Sequence, residues 1–280
     1  MVGLNTGGAA RPTAGWDTHV HVFDGQAATA PGHYRPVHRP LADIEALAAR
    51  HGLAHLVLVQ PSVYGTDNTV LLDALGSSPG RHRGVVVTHA SVSDAALQAM
   101  HALGVRGVRF NLVSPVGSGD GEDTVATFHA LVPRLSALGW HVQWYAHPQH
   151  LPLIADLHGT REAHGVPAVL DHLAGMHAEL PADDAAWRAL AELVQLGAWV
   201  KLSGWYRLKA SAPYEALDPT IRQVAALFDA HMVWGSDWPH TAFAPDAMPA
   251  YESTLEPVAR VLSAGQQGDV WSLSPAKLYA

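Results

Sequence analysis

The chain has 280 residues, of which 48% are hydrophobic and none is cysteine, and its formal net charge is −8. Without cysteine it has no disulfide, no thiolate metal site and no thiol nucleophile, a composition that suits a reducing compartment. The negative charge without any basic run argues against nucleic acid as a partner, and no apolar run approaches the length of a membrane span. Residues 1–15 contain no apolar segment typical of a secretory signal, so we expect a flexible N-terminal arm there and a soluble, cytoplasmic protein.

Apolar runs and amphipathic segments alternate along the rest of the chain. The predicted strands cover residues 16–24, 55–60, 83–89, 104–112, 139–147, 166–172, 198–203 and 231–237. The predicted helices cover 41–52, 70–75, 93–103, 124–138, 149–158, 184–196, 214–228 and 247–263. Such alternation implies a parallel sheet covered on both faces. Eight units predict a single-domain (β/α)8 TIM barrel over residues 16–280, with an active site at the C-terminal ends of the strands.

The first predicted strand contains Asp17, His19 and His21 at a spacing of two residues. On a regular strand these side chains share one face, and both histidines lie near the C-terminal end. Two imidazoles at this spacing can bind one metal ion or one substrate oxygen. The chain has 19 histidines, so roughly one such pair is expected by chance. The pair therefore gains its meaning from its place at a strand end.

Polar side chains also lie at or beyond the C-terminal ends of other predicted strands: Ser62 and Tyr64 after the second, Arg109 in the fourth, Tyr145 and His147 in the fifth, His172 in the sixth, Arg207 after the seventh and Asp237 in the eighth. A carboxylate among the aromatic residues around Asp237 is costly unless it is paired. Tyr64 and Tyr145 are equally consistent with packing aromatics, and His172 with a core residue bonded to Asp171.

Three histidines and one carboxylate at a barrel mouth leave two mechanisms open. His19, His21 and His172 together with Asp237 can bind a divalent metal ion, and these ligand types favour zinc. Alternatively, the imidazoles polarise a carbonyl directly while Asp237 deprotonates a water. In both cases water is activated against an electrophilic carbon.

The combination of motifs resembles the amidohydrolase superfamily. Asp17-x-His19-x-His21 in the first strand and Gly235-Ser-Asp237-Trp-Pro-His240 in the eighth carry this resemblance. Segments 60–68, 107–111, 171–172 and 201–203 resemble the branch that contains 2-pyrone-4,6-dicarboxylate lactonases, 4-sulfomuconolactone hydrolases and sugar-lactone isomerases. The similarity extends from residue 15 to about residue 245.

The resemblance implies a hydrolase that opens a lactone of a small carboxylate metabolite. It implies that Asp237 is the general base, and that His19, His21 and His172 polarise the carbonyl or hold a metal ion. We expect the ion, zinc by preference, on His19, His21 and Asp237, with metal-free catalysis as the alternative. A sugar-lactone isomerase or a decarboxylase of the same superfamily is the alternative activity.

The substrate-binding positions show where the chain follows the family and where it departs from it. Ser62, Arg109 and Arg207 match positions that contact substrate in the dicarboxylate lactonase, and we add Tyr64, Tyr145 and His147 as substrate-binding candidates. Tyr145 stands where a fifth-strand ligand histidine is expected, and Pro115 and Gly175 stand where the dicarboxylate lactonase has arginines. The less cationic pocket favours a monocarboxylate lactone, a sulfolactone or a sugar lactone over a pyrone dicarboxylate.

Overall fold

The computed structural model describes residues 15–30, 35–113, 121–241, 243 and 247–280, except the side chains of residues 121 and 122. The expected N-terminal arm therefore lies almost entirely outside the described residues, as do Pro115 and part of the loop 25–40. The described residues contain eight strands: β1 (Gly15–Val20), β2 (Leu53–Val59), β3 (Arg83–Val86), β4 (Val105–Asn111), β5 (His141–Tyr145), β6 (Ala168–Leu170), β7 (Trp199–Leu202) and β8 (Met232–Trp234).

Helices follow the strands as predicted up to the eighth. They are α1 (Leu41–Ala49), α2 (Thr69–Ser77), α3 (Asp94–Ala102), α4 (Gly121–Leu138), α5 (Leu151–His158), α6 (Ala185–Gln195), α7 (Asp218–Phe228), α8 (Glu256–Val261), α9 (Ala264–Gly268) and α10 (Ser274–Leu278). The helix predicted over 247–263 is wrong in its first half, where the structure has a short 3-10 turn at Tyr251–Thr254. Two further short helices, α9 and α10, come after it.

The strands form one parallel sheet in the order β1 to β8. Its two edges meet just beyond β1 and β8, where Asp237 N donates to His19 O (2.8 Å) and His21 N donates to Trp238 O (2.9 Å). These bonds close the sheet at its C-terminal end. The structure therefore confirms the (β/α)8 barrel.

Strand β1 departs from regular alternation. In its pairing with β2, Asp17 lies opposite Leu56 and Val20 lies opposite Leu58. Strand β1 therefore advances by three residues where β2 advances by two. This extra residue is a β-bulge, which re-aims the side chains that follow it. Asp17 accepts hydrogen bonds from Ser236 N (2.9 Å) and the Tyr251 hydroxyl (2.8 Å). The expectation that Asp17 shares a face with His19 and His21 is wrong.

The N-terminal end of the barrel is filled by apolar side chains. Trp16, Val57, Val59 and Val85 from the first three strands pack around Tyr279, which is fully buried. Arg83 Nε donates to the Tyr279 carbonyl at 2.8 Å and fixes the C-terminal segment around Tyr279 against β3. We call this cluster the barrel floor.

A polar layer lies between the barrel floor and the C-terminal end. Lys201 of β7 donates to Thr18 O (2.8 Å) and to Gln143 Oε1 (2.7 Å), and all three residues are completely buried. Burial lowers the pKa of Lys201 to about 8. No helix among the described residues has both the length and the apolar character that crossing a lipid bilayer requires.

Candidate active site

Strands carry some of the candidate residues, such as His19 in β1 and Arg109 in β4, but the turns that follow the strands carry others. Strand β6 ends at Leu170 and β8 at Trp234, whereas His172 and Asp237 adopt left-handed backbone angles, with φ of 50° and 61°. Left-handed non-glycine residues are uncommon and concentrate at functional sites, where the surroundings hold them in place. These turns direct both side chains toward the barrel axis.

Two glycines allow the elements around the site to approach closely. A Cβ on Gly204 would collide with the imidazole of His172, and Gly204 also has a φ of +58°. A Cβ on Gly235 would lie 2.6 Å from the Cβ of His19. Larger residues at either position would therefore displace a histidine of the site.

Asp237 is the centre of the cluster, and its side chain is fully buried. Its Oδ2 accepts hydrogen bonds from the Tyr206 hydroxyl (2.6 Å) and from Arg207 Nε (2.8 Å). Its Oδ1 lies 3.3 Å from His21 Nε2 and 3.6 Å from His19 Nε2. His172 Nε2 lies 4.0 Å from Oδ2. One carboxylate oxygen is thus held by protein donors, while the other faces two imidazoles.

The charges around Asp237 keep it ionised. Burial alone raises the pKa of this carboxyl, but Arg207 and the neighbouring histidines outweigh burial and hold its pKa well below the usual range. Burial and the Asp237 charge together raise the pKa of the Tyr206 hydroxyl well above its usual value. Tyr206 therefore stays protonated and donates to the carboxylate.

Asp171 is a second buried carboxylate beneath the first. Its Oδ1 lies 3.2 Å from His19 Nδ1, and its Oδ2 accepts from Arg109 Nε (3.0 Å) and Gln143 Nε2 (3.1 Å). Asp171 therefore connects His19 to Arg109 and does not serve as the partner of His172. His172 instead contacts the Ser203 hydroxyl through Nδ1 at 2.9 Å.

These contacts decide which imidazole nitrogens carry protons. His21 Nδ1 donates to the Val59 carbonyl (2.8 Å), which can only accept, so Nδ1 carries a proton. The ionised Asp171 favours a proton on His19 Nδ1 in the same way, and burial lowers the pKa of His19 well below its usual value. The Nε2 lone pair of neutral His19 thus faces the Asp237 Oδ1 oxygen.

Such a cluster of acceptors is the arrangement that a cation stabilises. His19 Nε2 and Asp237 Oδ1 are buried and have no hydrogen-bond partner among the described residues. Donor atoms of His19, His172 and Asp237 lie within 4.8 Å of one another. Imidazole nitrogens and a carboxylate oxygen at these separations fit the ligand set of a divalent ion such as zinc.

A cavity of about 270 Å³ opens beside this cluster. Its walls include His21, Ser62, Arg109, Asn111, Tyr145 and Arg207. The guanidinium carbons of Arg109 and Arg207 lie 5.0 and 5.7 Å from the centre of the Tyr145 ring. We call this space the catalytic cavity, since it joins two cations to the histidine–carboxylate cluster.

Not every predicted residue reaches the catalytic cavity. The Tyr64 hydroxyl donates to Asp24 O (2.9 Å) and accepts from Asp24 N (3.1 Å), and its ring packs against Phe23. Tyr64 therefore stabilises the loop after β2, and it is not among the described residues that line the catalytic cavity. His147 is exposed and lines a neighbouring cavity of about 330 Å³ together with His172 and Arg207.

Several residues of the site, among them Tyr206, Asp171 and Gln143, are absent from the sequence-based prediction of site residues. Tyr206 directly precedes the predicted Arg207, and its contact with Asp237 depends on the fold of the loop after β7. The sequence indicates Asp171 only as a partner of His172. Gln143 occupies the middle of an apolar strand and carries no sequence signal of its own.

The fold and site together define a (β/α)8-barrel hydrolase. The chain belongs to the amidohydrolase family, whose sequence profile matches residues 16–280. Similarity to individual proteins supports this assignment. The chain is 33% identical to a 4-sulfomuconolactone hydrolase of Rhizobium radiobacter over 256 residues, covering 89% of this chain and 84% of that protein.

Similarity to two further proteins supports the same family assignment. A 2-pyrone-4,6-dicarboxylate hydrolase of Comamonas testosteroni is 32% identical over 82% of this chain and 78% of its own length. The solved structure of a Pseudomonas putida protein, described as a candidate 2-pyrone-4,6-dicarboxylic acid hydrolase, matches with a TM-score of 0.83. That match has 31% identity over 95% of this chain and 97% of the other.

Proposed function

We propose that this chain hydrolyses the lactone of a small carboxylate metabolite. The observation that carries this proposal is the catalytic cavity, in which Arg109 and Arg207 border a buried cluster of His19, His21 and Asp237. The relatives described above are hydrolases of lactones that bear anionic groups. A cyclic ester with a carboxylate matches both the cations and the water-activating cluster.

The arginines bind the substrate anion in this proposal. Among the described residues, the only protein acceptor of an Arg109 hydrogen bond is Asp171, which it reaches through Nε. Its terminal nitrogens can therefore donate hydrogen bonds to a ligand in the catalytic cavity, which Arg109 lines. A guanidinium grips a carboxylate with two parallel hydrogen bonds, which also fixes its orientation. The lactone ring is thereby presented to Asp237.

Asp237 acts as the general base. Tyr206 and Arg207 hold Oδ2, so Oδ1 is the oxygen that accepts a proton from water. The water oxygen bonds to the carbonyl carbon, the ring carbon–oxygen bond breaks, and the proton on Asp237 passes to the departing ring oxygen. The product is an open hydroxy acid with one new carboxylate.

The histidines act on the carbonyl oxygen. His172 is buried, which lowers its pKa to about 4, so it is neutral at pH 7. With the Ser203 hydroxyl donating to Nδ1, its Nε2–H donates to the oxygen that becomes negative in the transition state. His19, His21 and Asp237 would hold a divalent ion, zinc by the ligand types, while His172 keeps its Nε2 proton for the carbonyl oxygen. A bound ion of this kind supplies a positive charge that polarises a carbonyl and acidifies water.

Product analysis with a panel of carboxylate-bearing and sugar-derived lactones tests the proposed activity. Hydrolysis consumes water and releases one proton per ring opened at neutral pH, whereas isomerisation releases none and decarboxylation releases carbon dioxide. We expect ring opening with proton release. If one of the other two products forms on the panel, the isomerase or the decarboxylase replaces the lactonase.

Metal dependence is tested separately by elemental analysis and by treatment with a chelator. We expect a divalent ion bound to the purified chain, fewer bound ions in a His21→Ala variant, and turnover that the chelator abolishes and zinc restores. Full turnover after complete removal of metal would contradict the metal site and assign polarisation of the carbonyl to the imidazoles alone.

A further inference from the structure

A second, larger cavity of about 590 Å³ adjoins the catalytic cavity and shares Ser62, Arg109 and Asn111 with it. At this junction the Asn111 amide donates to the Ser62 hydroxyl at 2.9 Å. We call this second space the outer cavity. The catalytic cavity alone is small for a ligand pocket, whereas both spaces together are ample for a small metabolite.

The inner walls of the outer cavity are held by side chains from two neighbouring units. The Asn68 amide donates to Thr66 O (2.9 Å) and Val87 O (2.8 Å), so it ties the loop after β2 to the end of β3. Arg134 of α4 donates to the carbonyls of Ala90 and Val92 and thereby fixes the loop after β3. The cavity is therefore bounded by loops that are bonded to one another.

The chemistry of the outer cavity differs from that of the catalytic cavity. Beyond the shared junction, its polar groups are mainly hydroxyls, from Thr66, Thr88, Ser91 and Thr127, together with the imidazole of His89, whose Nε2 lies 3.2 Å from the Thr66 hydroxyl. Apart from Arg109 at the junction, no lysine or arginine among the described residues lines it, and Asp123 adds a negative charge. Hydroxyls donate and accept hydrogen bonds with neutral polar groups, whereas a carboxylate in the wall disfavours an anion.

We propose that the outer cavity is a subsite for an uncharged, hydroxylated arm of the substrate. This inference rests on the proposed lactone hydrolysis and specifies its substrate class. The anionic group binds at Arg109, the lactone ring faces Asp237, and the hydroxylated arm extends into the outer cavity. The preferred substrate is then a monoanionic lactone with a polar neutral substituent, and a second anionic group in that position is disfavoured.

Three probe lactones test the subsite. They are 5-oxotetrahydrofuran-2-carboxylate, a derivative with a 1,2-dihydroxyethyl group, and a derivative with a carboxyethyl group of similar length. We expect kcat/KM for the dihydroxyethyl lactone to exceed that of the parent lactone by about tenfold, since two hydroxyls gain hydrogen bonds. We expect no gain for the carboxyethyl lactone. Equal values for the parent and dihydroxyethyl lactones, or a preference for the carboxyethyl lactone, would overturn the proposal.

An Ala90→Leu variant places a larger side chain in the wall of the outer cavity. We expect the ratio of kcat/KM between the dihydroxyethyl and parent lactones to fall toward one in this variant. A ratio that stays at the wild-type value contradicts the placement of the arm. Each measurement includes the parent lactone, so general damage to the enzyme lowers both values and leaves the ratio intact.

Calorimetric binding of the same probes separates the subsite from the chemistry. If the chain turned over none of the three lactones, the proposed hydrolysis would fail for this substrate class. Tighter binding of the dihydroxyethyl lactone than of the parent, reduced by Ala90→Leu, would still support the subsite. Equal dissociation constants for the two lactones would overturn it.

Discussion

The two ends of this barrel are built from the same alternating strands but carry opposite chemistry. At the barrel floor, Trp16 and Tyr279 are buried in an apolar cluster. At the C-terminal end, the equally buried His19, Asp171 and Asp237 meet with acceptor atoms facing one another. A barrel tolerates such an arrangement where a cation or substrate completes it, because the packed floor supplies stability. Burial therefore marks packing at one end and reactivity at the other.

The largest expected effect comes from Asp237→Asn, which keeps the side-chain shape but removes the base. We expect kcat to fall by about 10³-fold or more, and the free energy of unfolding to fall as well, because Arg207 loses its ionised partner. Turnover and urea unfolding of the same preparation measure the two effects. Asp229→Asn is the matched control, because Asp229 precedes β8 at the opposite end and also has a left-handed φ, of 46°. Turnover within a factor of ten of wild type in Asp237→Asn would contradict its role.

The barrel floor should respond in a different way. In Tyr279→Ala, deletion of a buried ring leaves a cavity, and we expect the free energy of unfolding to fall by about 3 kcal/mol. The KM of the folded enzyme should stay at the wild-type value. Leu273→Ala, at a side chain that is 68% exposed, is the control. An unchanged urea midpoint for Tyr279→Ala would show that the floor contributes little stability.

A buried histidine that lies in neither the barrel floor nor the active site gives a third case, in which stability should depend on pH. His158 accepts a hydrogen bond from Trp144 Nε1 (2.9 Å), and burial lowers its pKa from 6.5 to about 4. The folded state thus favours neutral His158. The contribution of His158 to the free energy of unfolding is fully present above pH 6.5. It is lost as the pH falls from 6.5 to 4, by up to roughly 3 kcal/mol.

Unfolding free energies of wild type and His158→Gln at pH 7.5 and pH 4.5 test this expectation. The variant cannot titrate at this position, so the stability difference between the two proteins should shrink at the lower pH. A difference that is the same at both pH values would show that His158 is not held neutral by burial.

The smallest expected effect is that of Asp171→Asn, which alters the residue between His19 and Arg109. We expect kcat to fall by about 10- to 100-fold, as is typical when a group that orients a catalytic histidine is removed. KM for a carboxylate-bearing lactone should rise as well, because Arg109 loses its anchor. Steady-state kinetics separate the two constants, and an unchanged kcat would mean that Asp171 serves only the stability of the barrel.

The same contrast explains what the sequence could and could not predict. Apolar runs predict strands. The positions of His19, His21, His172 and Asp237 at the strand ends are predictable because each lies at or just beyond such a run. Asp17 was misplaced because a bulge cannot be seen in residue spacing. The contact of Tyr206 with Asp237 depends on a loop conformation, and the docking of Tyr279 into the floor depends on the path of the C-terminal segment. Neither follows from local periodicity.

Helix and strand boundaries show the same limit. The segment 247–263 has enough apolar residues for one helix, but the structure divides it between a 3-10 turn and α8. Ser263 caps α9 through Gln266, a local signal that identifies a helix start without predicting its short length. Tertiary packing decides these lengths.

The most direct test of the account is ring opening of a carboxylate-bearing lactone in water enriched in oxygen-18. Mass spectrometry of the product, formed by wild type and by Asp237→Asn under the same conditions, identifies the attacking oxygen. The account predicts one heavy oxygen in the new carboxylate with wild type and about 10³-fold less product with the variant. A product without label, or label that accumulates equally with Asp237→Asn, would contradict hydrolysis by Asp237-activated water.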